Sequence, residues 1–139
     1  MRTVSSQYAL RAVVYLAQHA DDWPIPGRII ARDTGIPAKY LSKILGDLVR
    51  CGVLQSSRGK TGGFSMHKRA DQTILADVVA PFMPLDTGNC PFGNQVCSDD
   101  NPCGAHDRWK HVVACQRAFL SETSVADVTG PVSPSRRHP

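Results

Sequence analysis

The sequence predicts a mostly α-helical fold with a small β-hairpin (α+β), arranged as a winged helix-turn-helix and followed by a long C-terminal helix. Three patterns in the 139 residues indicate this fold. Apolar residues recur at helical spacing in three consecutive N-terminal segments, two short strand-like segments flank a glycine-rich tip, and a long amphipathic segment follows a turn-rich loop. The length is close to the soft prior of about 150 residues for a single domain.

The helix-turn-helix is predicted from the order of the first three helices. Residues 5–20 carry one continuous apolar face, and a proline-rich link follows them. Residues 28–34 form a second helix, closed by Gly35 at the position where a left-handed residue often ends a helix. A third helix is expected within residues 36–52. Two short helices around a glycine-containing turn form a helix-turn-helix.

The wing is predicted from the hairpin pattern that follows. Residues 53–57 and 64–66 have strand character, and the basic, glycine-rich segment 58–63 lies between them. Its glycines permit a tight tip and a close approach of the backbone to a partner. An ordinary hairpin is the alternative. A nucleotide-binding P-loop fits less well, because Gly59-Lys60-Thr61 lacks the leading Gly-x-x-x-x and no helix follows.

The C-terminal half contains two further predicted helices. Residues 73–82 form a short one and residues 107–122 a longer one, which could fold back onto its own core or pair with the same helix of a second chain. Residues 129–139 are rich in Pro, Ser and Arg, and they are expected to be a disordered tail. The longer helix has an apolar stripe made of Trp109, Val112, Val113, Phe119 and Leu120.

The charge distribution favours a polyanionic partner. Residues 1–70 contain eleven Lys and Arg against four Asp and Glu, whereas residues 71–139 contain five against eight, so the net charges are +7 and −3. On a winged-helix scaffold, the early exposed residues of the third helix would enter the major groove of DNA, and the wing tip would reach phosphates or the minor groove. The predicted DNA-binding residues are Arg28, Lys39, Tyr40, Ser42, Lys43, Arg58, Gly59 and Lys60. Tyr40 is ambiguous, because the apolar stripe of its helix could also include it.

The loop of residues 84–106 clusters three of the five cysteines between turn-forming residues, and His106 ends it. A metal, an iron–sulfur cluster or disulfides could explain such a cluster. The chain has no apolar run long enough to span a bilayer and no secretory signal pattern, so a cytoplasmic protein with reduced thiols is expected. Three cysteines and a histidine would also suit structural zinc. Cys51 and Cys115 are expected to be small core residues.

Several motifs resemble the Rrf family of bacterial winged-helix transcription regulators, which has IscR-like and NsrR-like branches. The resemblance covers roughly residues 1–128. The matching segments are Tyr8-Ala9-Leu10-Arg11 with Tyr15-Leu16-Ala17, Tyr40-Leu41-x-x-Ile44-Leu45, and Arg58-Gly59-x-x-Gly62-Gly63-Phe64, together with the three spaced cysteines and the late helix ending in Phe119-Leu120.

The resemblance implies an iron–sulfur cluster, 2Fe–2S or 4Fe–4S, held by Cys90, Cys97 and Cys103. In the IscR-like branch a histidine three positions after the third cysteine is the fourth ligand, and His106 stands there. In NsrR-like proteins an acidic residue near the N-terminus, donated by the other subunit, takes that role. The matching residue here is Gln7, a poor iron ligand, which favours His106.

These observations predict a homodimeric DNA-binding regulator, expected to act as a repressor, rather than an enzyme. Its partners would be a double-stranded DNA operator and a second copy of the chain, without a membrane or a small-molecule substrate. The alternatives are a cluster-free or zinc-binding regulator and a small iron–sulfur redox protein. The expected organisation is a DNA-binding domain at 1–83, a cluster loop at 84–106, a dimerisation helix at 107–128 and a tail at 129–139.

Overall fold

The computed structural model describes residues 4–83 and 106–129, and these residues form a mostly helical fold with one two-stranded antiparallel hairpin. The predicted fold class is confirmed. The helices are α1 (Val4–Gln18), α2 (Gly27–Thr34), α3 (Ala38–Arg50), α4 (Leu75–Val79), α5 (His106–Glu122) and α6 (Val125–Thr129), the strands are β1 (Leu54–Ser57) and β2 (Gly63–Met66), and two short 3-10 helices cover Ala20–Asp22 and Ala70–Gln72.

The turn between α2 and α3 depends on one glycine. Gly35 has a φ of 76°, and its N–H donates a 2.9 Å hydrogen bond to the carbonyl oxygen of Ala31, which closes α2. Only glycine adopts this left-handed conformation without a steric penalty, so the chain can leave α2 at once. Pro37 precedes the first residue of α3, where its missing N–H costs no helical hydrogen bond. The turn is therefore specified locally.

An aliphatic core holds the three N-terminal helices together. The inner faces of α1 and α3 are buried because their apolar residues recur at helical spacing. The fully enclosed side chains include Ala9, Ala12, Val13, Leu16, Ile30, Ile36, Leu41, Leu45, Leu48, Leu54, Val78, Val79 and Val125. One side of α3 packs against this core, and the opposite side of α3 faces solvent.

The wing is supported by a third stretch of extended chain. β1 pairs with β2 in a register that sets Leu54 opposite Met66 and Ser57 opposite Gly63. On the other edge of β2, the N–H of Phe64 donates to the carbonyl oxygen of Ile25 at 2.8 Å, and the N–H of Ile25 donates back at 3.0 Å. The link between α1 and α2 therefore anchors the returning strand of the wing.

Two of the wing glycines serve this internal packing. A Cβ atom on Gly63 would lie 2.3 Å from the carbonyl carbon of Ile25, and one on Gly62 would lie 2.3 Å from the carbonyl oxygen of Ser57. No larger residue fits at either position without moving the backbone. The close approach that the sequence suggested towards a partner is, at these two glycines, an approach to the protein's own chain.

The C-terminal segment returns to the N-terminal helices. Backbone hydrogen bonds join Leu75 N–H to the Thr123 carbonyl oxygen at 2.9 Å and Val125 N–H to the Thr73 carbonyl oxygen at 2.8 Å. Val125 is fully buried, and α6 packs against α1. The sequence did not predict α6, which includes Thr129, the first residue of the expected tail. Residues 130–139 lie outside the described residues.

The predicted boundaries of the two late helices differ in accuracy. α5 begins one residue before the predicted start and ends at the predicted Glu122. The expected helix at 73–82 is shorter, since α4 covers only Leu75–Val79. Among the helices of residues 4–83 and 106–129, none has the length and apolar character that a membrane span needs.

Candidate nucleic-acid interface

The solvent side of α3 presents polar and basic side chains. Lys39, Tyr40, Ser42 and Lys43 are all exposed, whereas Leu41 beneath them is buried. Tyr40 is 63% exposed, so the structure resolves the ambiguity of the sequence: this ring belongs to the solvent side and not to the core. Hydroxyl and ammonium groups in this arrangement can contact base edges and phosphates.

The exposed side of α3 also carries Arg50, which was not among the predicted DNA-binding residues. From Lys39 and Lys43 the helical spacing continues through Gly46 to Arg50, which is exposed and donates to the carboxylate of Asp47. These four residues follow one another at intervals of four, three and four, and this helical spacing is the sequence signal that could have predicted Arg50. We call the row Lys39, Lys43, Gly46 and Arg50 the outer face of α3.

The other predicted contacts lie on α2 and on the wing. Arg28 is exposed in the first turn of α2, and Arg58, Gly59 and Lys60 are exposed at the wing tip. Gly59 has a φ of 105°, a backbone conformation that favours glycine, so it provides the tight turn of the tip. α2 packs against α3 and β1 packs against α3, so both elements are held to the helix that carries Lys39 and Lys43.

A polar network ties α1 to the end of α2. The Tyr15 hydroxyl donates a 2.5 Å hydrogen bond to Asp33 Oδ2, and the Arg11 guanidinium donates to the carbonyl oxygen of Thr34. Burial, together with the bond to Asp33, raises the pKa of Tyr15 to about 12. The hydrogen bonds from Tyr15 and Arg32 lower the pKa of Asp33. These contacts fix the helix that precedes the turn, and hence the orientation of α3.

The cysteine loop joins α4 to α5 in the sequence. Cys90, Cys97 and Cys103 lie outside the described residues, and His106 is the first residue of α5. The loop follows α4 and precedes α5, and these two helices pack against each other. As a donor set, three thiolates and one imidazole fit an iron–sulfur cluster, in which histidine can replace cysteine. The same set also fits tetrahedral zinc.

The two remaining cysteines are not core residues, contrary to expectation. Cys51 and Cys115 are both exposed. Cys51 caps α3, where its Sγ donates to the Leu48 carbonyl oxygen at 3.4 Å. Cys115 Sγ lies 3.5 Å from His111 Nε2 on α5. The expectation was wrong because it relied on the general burial of cysteine and not on the helical face of these two positions.

The predicted apolar stripe of α5 divides between two environments. Leu120 is buried against the core, and Trp109 and Val113 are half-buried. Val112 and Phe119 are 50% and 55% exposed. The helix therefore folds back onto its own core with one side and leaves a second apolar side in solvent.

The helix-turn-helix, the anchored wing and the basic solvent side of α3 define a winged-helix DNA-binding transcription regulator. Comparison with known families agrees: the model of the Rrf2 family, described as iron-dependent transcriptional regulators, matches residues 2–131. The chain belongs to the Rrf2 family. The resemblance seen in the sequence is confirmed, as is the prediction that the protein is a regulator and not an enzyme.

Individual relatives support the same assignment. An HTH-type transcriptional regulator of Aquifex aeolicus is 31% identical over 125 residues, covering 88% of this chain and 86% of the relative. The regulator IscR of Photorhabdus laumondii is 28% identical over 127 residues, covering 91% of this chain and 77% of the relative.

Two solved structures share the fold. The structure of CymR, the global cysteine regulator of B. subtilis, superposes with a TM-score of 0.76 at 19% identity, covering 93% of this chain and 95% of CymR. The structure of T. potens IscR gives a TM-score of 0.75 at 18% identity, covering 100% of this chain and 93% of that chain.

Proposed function

We propose that the protein is a homodimeric repressor that binds a double-stranded DNA operator in the cytoplasm, and that an iron–sulfur cluster in its cysteine loop sets the affinity for that operator. The observation that carries the DNA-binding proposal is the division of α3 into a buried apolar side and an exposed side with Lys39, Tyr40, Ser42 and Lys43. The cluster proposal rests on the donor set of the loop and on the family to which the chain belongs.

In this proposal each part of the DNA-binding surface has its own role. The first turns of α3 read the major groove, where Ser42 and the two lysines reach base edges or phosphates. Arg58 and Lys60 at the wing tip contact the backbone or the minor groove, and Arg28 contacts the backbone from the start of α2. Gly59 lets the tip turn without a side chain that would hold it away from the DNA.

The proposed cluster ligands are Cys90, Cys97, Cys103 and His106. A cluster supplies a redox-active, reversibly lost group, and an imidazole ligand makes its retention depend on pH, since histidine must be neutral to ligate. His106 opens α5, whose far end is held to the core through Leu120, while α4 packs alongside. A ligand at the first residue of α5 would therefore connect the state of the loop to a helix that is part of the folded core.

The proposed dimer forms through the exposed apolar side of α5. Val112 and Phe119 are 50% and 55% exposed, so burying their remaining surface against a second copy would stabilise association by roughly half of the about 1.5–3 kcal/mol that full burial of such a side chain provides. A symmetric dimer would place two recognition helices on half-sites about one helical turn apart, or a multiple of it.

The cluster is tested by anaerobic purification with iron, sulfide and zinc analysis, and by absorption and Mössbauer spectra of wild type and His106→Ala. The expected result is a coloured protein with stoichiometric iron and sulfide, whose spectrum changes in His106→Ala. A colourless protein with stoichiometric zinc would contradict the cluster and support the zinc-binding alternative.

DNA binding is tested by fluorescence anisotropy with a fragment from upstream of the protein's own gene, in the cluster-loaded and cluster-free forms. We expect salt-sensitive, sequence-dependent binding whose affinity differs between the two forms. Equal affinity in both forms would show that the cluster does not set operator affinity. A lack of binding in both would contradict the choice of operator region.

A further inference from the structure

A histidine and a cysteine on α5 form a side-chain pair that the proposed cluster does not use. His111 and Cys115 are four residues apart, so they lie one above the other on the same side of the helix. Both are exposed, and His111 Nε2 is 3.5 Å from Cys115 Sγ. From this geometry we propose that the pair is half of a binding site for a thiophilic divalent cation such as Zn²⁺, which the same pair of a second copy completes.

The distance between the two donor atoms matches the edge of a tetrahedral site. Zinc binds cysteine sulfur at about 2.3 Å and histidine nitrogen at about 2.0 Å. At the tetrahedral angle these bond lengths place sulfur and nitrogen about 3.5 Å apart. The observed 3.5 Å therefore needs little adjustment for both atoms to bind one ion. Two ligands at i and i+4 on one helical face are a known arrangement for zinc.

The described residues of one chain do not complete the site. Among residues 4–83 and 106–129, no group of three or more His, Cys, Asp or Glu side chains is placed to hold a metal ion. Tetrahedral zinc takes four ligands in structural sites. The pair therefore needs ligands from outside the described residues, and a second copy supplies the same donor types.

The position of Cys115 on α5 favours a second copy. Counting along the helix, Arg108, Val112, Cys115, Phe119 and Glu122 are separated alternately by four and three residues, the repeat of a helix-pairing stripe. Cys115 is the middle of the three uncharged residues, between the exposed Val112 and Phe119. In a symmetric pairing through this stripe, the two copies of Cys115 come near the two-fold axis. This step rests on the proposed dimer through α5.

The test uses Co²⁺ as a spectroscopic probe in full-length protein with Cys90→Ala, Cys97→Ala and Cys103→Ala, so that the loop thiols cannot bind it. We expect thiolate-to-cobalt charge-transfer absorption that saturates at one ion per two chains. Cys115→Ser should abolish this absorption. Cys51→Ser is the matched control, since Cys51 is the other exposed cysteine of the described residues, and it should leave the absorption intact. His111→Asn should weaken binding by more than the roughly 10–100-fold that loss of an outer hydrogen-bond partner costs.

Absorption that survives Cys115→Ser, or no absorption at all, would overturn the proposal and leave the pair as an S–H···N hydrogen bond only. Saturation at one ion per chain would overturn completion by a second copy. Sedimentation of the metal-free protein separates this result from the proposed dimer: a metal-free dimer that binds no Co²⁺ contradicts the metal site alone, whereas a metal-free monomer contradicts the dimer. Zn²⁺ should tighten the dimer, because an ion bound only by the dimer stabilises it by mass action.

Discussion

The hydroxyl of Tyr15 in α1 donates a 2.5 Å hydrogen bond to the carboxylate of Asp33 in the last turn of α2. The two residues are 18 positions apart, and the bond joins the first helix to the segment just before the turn into α3. The carboxylate also accepts a 3.0 Å hydrogen bond from Arg32. The orientation of the helix-turn-helix on its core therefore depends on polar contacts at its edge as well as on apolar packing.

Tyr15→Phe should lower stability, because it removes the hydroxyl that donates to Asp33 and keeps the ring. Asp33→Asn should have a smaller additional effect in the Tyr15→Phe background than in the wild type. Urea denaturation of the two single variants and the double variant measures this coupling. Additive losses would show that the hydrogen bond does not contribute to stability.

The raised pKa of Tyr15 predicts that the stability of the fold depends on pH in the alkaline range. Its folded pKa of about 12 lies above the ordinary value of 10.0, so folding favours the protonated phenol. This contribution to stability is complete below the unfolded pKa and is lost as the pH rises through the folded pKa.

Absorbance titration of tyrosinate should therefore show one of the three tyrosines ionising later than the other two while the protein is folded. Tyr15→Phe should remove this late step. Loss of an early step in that variant would contradict the assignment.

The lowered pKa of Asp33 predicts that stability depends on pH in the opposite direction in the acid range. Its folded pKa is lowered, first of all by the hydrogen bond from Tyr15. The contribution of Asp33 is present above its unfolded pKa and is lost as the pH falls through the folded pKa. The difference in urea midpoint between wild type and Asp33→Asn should then shrink as the pH falls below about 3.9. A difference that stays constant over that range would contradict this dependence.

Two glycine variants test the anchoring of the wing. Gly63→Ala places a Cβ against the backbone of Ile25 and should destabilise the protein by about 3 kcal/mol. Gly59→Ala has open space but a positive φ, so it should cost about 1–2 kcal/mol. Gly46→Ala lies in a helix, and its added Cβ would meet only the guanidinium of Arg50, at an ordinary van der Waals distance of 3.7 Å, so it should stabilise by about 0.5–1 kcal/mol. Denaturant unfolding measures all three, and a Gly63→Ala effect no larger than that of Gly59→Ala would contradict the anchoring.

Substitution of the lysines on the outer face of α3 should change the salt dependence of DNA binding. If Lys39 and Lys43 each neutralise a phosphate, Lys39→Ala and Lys43→Ala should each reduce the slope of log affinity against log salt by about 0.9. Lys110→Ala on α5 removes the same charge away from the helix-turn-helix and is the control. An unchanged slope would place the lysine outside the phosphate contacts, and a changed specificity at constant slope would assign it to a base edge.

A charge on the exposed side of α5 should weaken the proposed dimer. Phe119→Glu removes two apolar rings from a symmetric interface and should raise the dimer dissociation constant by roughly 100-fold or more. Tyr40→Glu introduces the same charge at a side chain of similar exposure, 63% against 55%, and should leave the dimer intact. Sedimentation equilibrium measures both. Equal oligomeric states in wild type and Phe119→Glu would argue against α5 as the interface.

The predicted elements that agree with the structure are those with local causes. Gly35 ends α2 because a left-handed residue is needed at that position, and the spacing of apolar residues marked α1, α3 and α5. α6 was missed because five residues with one buried side chain, Val125, carry no periodic signal. The helix owes its place to backbone bonds with residues 73–75, about fifty positions earlier in the chain.

The order of α1 to α5, the hairpin wing, the uneven charge and the donor set of the loop could all be read from the amino-acid sequence. These depend on residue type and on spacing along the chain. Which side of each helix is covered depends on tertiary packing. This packing placed Tyr40 in solvent, exposed Cys51 and Cys115, divided the apolar stripe of α5 and set Gly63 against Ile25. The spacing of apolar residues shows that a helix has an apolar side. Whether that side is buried depends on which segments pack against it, and these segments are distant in the sequence.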